Sequence, residues 1–165
     1  MTDDDLPMPA PEGDLVLLLE ACAARLGDEV LARVRSELGA DIRYRDGYVF
    51  QHLIQRPRSV SDLARRLGVT QQAASKQVAD LADRGLVSRH RDPDDGRSWL
   101  ISLSPRGQRA VQAGREARTD LADELLTDLG GTTYHALVEH LASLSTNTGA
   151  LAHLLDRRLR PEAGR

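Results

Sequence analysis

The sequence predicts a mainly α fold of the α+β kind, in which amphipathic helices surround one small β-hairpin. Three observations carry that expectation. Apolar residues recur at helical spacing through most of the chain, capping and stopping residues punctuate them, and one stretch alternates apolar and polar residues around the turn Asp92-Pro93-Asp94-Asp95-Gly96.

Residues 1–13 hold Pro7, Pro9, Pro11 and Gly13 among acids and read as a flexible arm. From Asp14 the pattern turns helical, because Leu15, Leu18, Leu19, Cys22 and Leu26 form one apolar stripe that Val30, Leu31, Val34 and Leu38 continue. Gly39 stops that helix. A short second helix begins near Gly47, with Tyr48, Val49, Leu53 and Ile54 as core candidates before Pro57. Ser59 and Asp62 have capping-box spacing and predict a helix over 60–67, with the Asp62 carboxylate reaching back to the cap. Gly68 supplies a tight turn, Val69 plugs it, and Thr70 caps the next helix, which runs to Arg84. That helix buries Ala74, Val78 and Leu81 and leaves Gln71, Gln72, Ser75, Lys76 and Ala79 on other faces.

Gly85 ends it, and Val87-Ser88-Arg89-His90 opens the first hairpin strand; Trp99, Ile101 and Leu103 alternate along the second. Ser104 with Pro105 at N1 starts a helix that Gly130 and Gly131 break. The last helix places Leu137, Leu141, Leu144, Leu151 and Leu155 on a seam too long for one small core to cover, which predicts a second subunit. Helix, glycine turn, helix and hairpin in that order make a winged helix-turn-helix, here flanked by dimerisation helices. The expected division is an arm (1–13), a single domain (14–159) with dimerisation helices at 14–38 and 105–159 around a lobe at 44–103, and a tail (160–165).

Composition narrows the function classes. The chain has 165 residues, 41% hydrophobic and 28% charged, which suits one globular domain. No apolar run approaches the roughly 20 residues of a membrane span, and the acidic start at Asp3, Asp4 and Asp5 is unlike a secretory signal, so a cytoplasmic protein without membrane contact is expected. The single Cys22, set among alanines, excludes an intrachain disulfide framework and reads as an inert buried thiol rather than a redox sensor. His135 and His140 lack ligand partners, so neither a metal site nor a cofactor is expected, and no catalytic motif is present to suggest an enzyme. The net charge of -3 hides a gradient: residues 42–97 hold 11 basic and 7 acidic side chains, while residues 1–41 hold 3 and 10. A basic middle segment is what a nucleic-acid surface requires, whatever the total.

On duplex DNA the second helix of such a pair enters the major groove, and its N-terminal residues meet base edges. Gln71 and Gln72 are therefore the leading base readers, since Gln offers a donor and an acceptor side by side as adenine requires. Ser75 and Lys76, one turn on, suit phosphates or a guanine edge. Arg97 at the hairpin tip, beside Asp95, is placed for the minor groove, with Arg89 and Arg91 near flanking phosphates. The same scaffold also serves as a protein-binding module, and the basic middle segment argues for DNA instead.

The run Ser59-Val60-Ser61-Asp62-Leu63-Ala64-Arg65-Arg66-Leu67-Gly68-Val69-Thr70, then Ser75-Lys76, Arg84-Gly85-Leu86-Val87, Asp92-Pro93-Asp94-Asp95-Gly96-Arg97 and Leu103-Ser104-Pro105-Arg106-Gly107, resembles the multiple antibiotic resistance regulator (MarR) family. Ala82 and Arg58 depart from its usual pattern. The resemblance implies a homodimer on pseudo-palindromic double-stranded DNA near promoters, usually a repressor released by a small ligand. It gives the groove-reading role to Gln71, Gln72, Ser75 and Lys76, next to Thr70, and the wing role to Asp95 and Arg97. Tyr44, Arg45, Tyr48, His52 and Arg106 are the candidates to bind an aromatic or anionic effector.

Overall fold

The structure, a computed structural model, describes residues 14–93, 96 and 98–150. Helix α1 (Leu15–Leu38) opens on Asp14, whose carboxylate accepts the N–H groups of Val16 and Leu17 at 3.0 and 3.1 Å. After it come α2 (Asp46–Leu53), the two-residue strand β1 (Arg58–Ser59), α3 (Val60–Leu67), α4 (Gln71–Asp83), the hairpin β2 (Val87–Arg91) and β3 (Trp99–Leu103), then α5 (Pro105–Leu129) and α6 (Gly131–Thr148). The predicted caps hold: Ser59, Thr70 and Ser104 accept the N–H groups of Asp62, Ala73 and Gly107, satisfying amides that have no partner within the helix. Gly68 turns α3 into α4 with φ +68, a left-handed conformation that strains any residue with a side chain.

The sheet is antiparallel in the order β1-β3-β2. Its third strand is not legible in the sequence, because two residues carry no readable period; β1 is defined by Arg58 and Ser59 pairing with Ile101 and Leu100. The core lies between the sheet and α2 to α5, around Val49, Leu53, Leu63, Leu67, Val78, Leu81, Leu86 and Ile101. Burying each such side chain is worth about 1.5–3 kcal/mol, so this core is the main apolar contribution to the fold. Arg58, one of the two departures from the pattern of the resembled family, is 8% exposed. It is accommodated because its guanidinium donates to the His52 carbonyl and meets Asp62 at 2.8 Å.

The outer helices differ. Among the described residues α6 buries none, and Leu129, Leu137, Val138, Leu141 and Leu144 are exposed, as are Leu15, Leu18 and Leu26 on α1. Cys22, expected to be buried, is exposed on this single chain, as is most of the first half of α1, because no other described element of the chain covers that apolar stripe. Ile54, another core candidate, is 37% exposed, and Phe50 and His52 take the buried places on α2 instead. The Asp62 carboxylate does not return to its cap: Arg58, Arg65 and Arg66 hold it, because three guanidinium groups attract it more strongly than one neutral amide. Leu151, Leu155, the arm, the tail, Asp94, Asp95 and Arg97 lie outside the described residues.

Candidate nucleic-acid interface

Helix α4 separates two faces. Ala74, Val78 and Leu81 are buried against α3 and the sheet, which fixes the helix about its axis. Gln71, Gln72, Ser75 and Lys76 are all exposed on the first two turns. Thr70 precedes them, its hydroxyl occupied by the Ala73 N–H at 3.2 Å, so Thr70 serves as cap and presents the helix start. The array combines two amides, a hydroxyl and an ammonium. Such a set offers hydrogen-bond donors and acceptors side by side together with one positive charge.

Helix α3 is braced at its start by Asp62. Burial alone would raise its pKa, but hydrogen bonds from Arg58, Arg66 and Arg65 outweigh that and hold the carboxyl down at about 2. Arg65 remains 78% exposed at the outer surface of α3, so one member of this cluster also adds positive charge there.

On the hairpin, Arg91 is the cross-strand partner of Trp99, and Arg89 that of Ile101. Residues 87, 89 and 91 share one face with 99, 101 and 103, since side chains alternate across a strand. Near the lobe this face is core, at Val87 and Ile101; further out it carries Arg89, Arg91 and Trp99. The guanidinium carbons of Arg91 and Arg89 lie 4.3 and 5.7 Å from the Trp99 ring centroid, within cation–π range. Arg91 also donates to the Gly96 carbonyl at 3.1 Å, tying the strand to the tip. In the sequence Trp99 is only one of an alternating series. Its exposure of 42%, beside two arginines, makes it part of this surface, and a strand residue at the outer end of a polar-tipped hairpin was the available signal.

None of the five effector candidates lines the main described cleft. Tyr44 and Tyr48 stack edge to face with centroids 6.2 Å apart, and Arg45 beside them is exposed. His52 is 7% exposed, within the lobe. Arg106 is engaged by Asp41, whose carboxyl it holds below its ordinary pKa. That cleft, of about 390 Å³, lies elsewhere, between the segment after α2, β3 and α5; Arg56, Ser102, Gln108 and Arg115 line it.

A helix pair with a capped, outward-facing second helix and an arginine-bearing hairpin defines a winged helix-turn-helix protein. Residues 41–98 match the model of the MarR family. Among curated relatives, the uncharacterized HTH-type transcriptional regulator YdgJ of Bacillus subtilis is 26% identical over 89 residues, 54% of each chain. The matched region spans about half the length of such relatives. The fold is also similar to that of RV1404 from Mycobacterium tuberculosis, with a TM-score of 0.69, 22% identity and coverage of 86% of this chain and 97% of that one. A mutant of S. aureus MepR bound to an oligodeoxyribonucleotide gives 0.63 and 18%, covering 81% and 96%. Over this segment the chain is similar to the MarR family, and over most of its length it shares the fold of these structures.

Proposed function

We propose that this chain is a sequence-specific DNA-binding transcriptional regulator. It acts in the cytoplasm as a homodimer on promoter-proximal pseudo-palindromic operators, as a repressor released by a small aromatic or anionic ligand. The observation that carries this reading is the exposed polar face of α4, with Gln71, Gln72, Ser75 and Lys76 presented over a buried apolar back. The DNA-bound MepR mutant of the same fold supports it. The uncovered leucines of α1 and α6 support a dimer built by residues 14–38 and 105–159 around a DNA-binding lobe at 44–103, because a contiguous apolar face of that kind calls for a partner. Thr70, Arg89, Arg91, Asp95 and Arg97 complete the DNA contacts of this reading, with Tyr44, Arg45, Tyr48, His52 and Arg106 retained as effector candidates. The relatives are regulators, and no enzymatic activity is part of the proposal.

The test is selection of bound duplexes from random DNA, followed by gel retention of the selected duplex at two salt concentrations. The expected result is a symmetric motif with half-sites about 10 base pairs apart and retention that falls steeply with salt. Failure to retain any duplex at low salt overturns the reading.

A further inference from the structure

Two arginines cross where α1, α2, α4 and α5 meet. Arg84, the C-cap of α4, grips Asp46 at the start of α2 with both nitrogens, at 2.7 and 2.8 Å, and reaches the Asp41 carbonyl at 2.9 Å and Asp80 at 2.6 Å. Arg106, in the first turn of α5, holds the Asp41 carboxylate at 2.7 and 3.0 Å and the Leu38 carbonyl at the end of α1 at 2.7 Å. Its guanidinium also donates to the Arg84 carbonyl. Each arginine thus joins the end of α4 to helices remote in sequence, and Asp41 serves both. A planar guanidinium fork with several fixed acceptors resists rotation in a way that one point charge does not.

We infer that Arg84 and Arg106 are positioning residues that fix the angle of α4 against α1 and α5, and so the half-site spacing that a dimer of this chain accepts. The inference rests on the DNA-binding reading above. Adding one base pair between half-sites moves them about 3.4 Å apart and rotates them about 35°. A rigid junction rejects such a change, whereas a loosened one lets α4 follow it.

The experiment measures retention of the wild-type chain on its selected duplex and on duplexes whose centre is lengthened or shortened by one or two base pairs. The variants are Arg106→Gln and Asp41→Asn. Arg106 and Asp41 side chains are 34% and 41% exposed, so their loss spares the buried Arg84–Asp46 pair. Arg109→Gln is the control: Arg109 links α5 to Glu37 of α1 and touches no residue of α4 in any ion pair shown. The expected result is a dimer in every case, with the preference for the selected spacing lowered by about fivefold or more in the two variants and unchanged in the control. Unaltered spacing preference in Arg106→Gln and Asp41→Asn, or an equal loss in Arg109→Gln, overturns the inference. Wild-type chain that binds no duplex overturns the DNA-binding reading itself.

Discussion

The carbonyl oxygen of Leu86 occupies the space that a side chain on Gly107 would need: a Cβ there would lie 2.1 Å from it. The same oxygen accepts the Ser104 N–H at 3.1 Å, and the Ser104 hydroxyl donates to the Gly85 carbonyl at 2.6 Å. The start of α5 is thereby laid directly on the link between α4 and the wing. Helix propensity alone would favour Gly107→Ala by about 1 kcal/mol. Overpacking against backbone costs about 1–3 kcal/mol, and a contact this short belongs at the upper end. Gly107→Ala is therefore expected to lower the unfolding midpoint in a thermal melt. An unchanged or raised midpoint would show that α5 shifts freely.

Arg84→Gln should be strongly destabilising, since the Arg84 side chain is only 11% exposed. Asp46 is 1% exposed, and the substitution leaves its carboxylate buried with the Arg43 N–H, at 2.8 Å, as a remaining donor. Removing one partner of a buried pair costs about 3–5 kcal/mol, mostly the penalty of the stranded charge. The double variant Asp46→Asn with Arg84→Gln should recover part of that loss in denaturant titrations, and a strictly additive double variant would refute the coupling.

Acid should loosen α3 through Asp62. Its folded pKa, about 2, lies below the roughly 3.9 of a free aspartate, so the stabilisation is fully present above about pH 4 and is lost as pH falls toward 2. After allowance for solvent screening this amounts to about 1–2 kcal/mol. Denaturant titrations between about pH 5 and pH 2, at about half-unit intervals, should show a smaller acid-dependent loss for Asp62→Asn than for the wild type. Parallel curves would exclude the role.

The two kinds of contact expected of α4 separate by salt and by sequence. Lys76→Ala should weaken retention evenly across duplexes and reduce the slope of log affinity against log salt by about one. Gln72→Ala should instead relax preference at particular bases, by about 1–3 kcal/mol at each. Equal loss on every sequence for Gln72→Ala would remove it from the base readers.

Most helices could be read from the chain because their signals are local. Ser59, Thr70 and Ser104 each bond an amide three residues on, and Gly68 and Gly130 take positive φ where the pattern stops. What could not be read depends on distant partners. Strand β1 exists only through β3, some 40 residues later, and buried Arg58 breaks the apolar pattern that would have marked it. In the sequence Arg106 looks available for an anion, because its partners Asp41 and Leu38 stand 65 and 68 residues away. The helical stripe on α1 places Cys22 with core residues, yet periodicity says which face is apolar and not whether this chain covers it. The exposed polar face of α4 was legible for the converse reason, since polar residues beside a buried stripe need no partner to stay exposed.

Trp99 is the only tryptophan in the sequence, and it stands on the wing rather than in the core. Its emission therefore reports the surroundings of Arg89 and Arg91 and little else. Unfolding followed by that light would record the fraying of the hairpin, and global melting of the lobe would have to be followed through its helices.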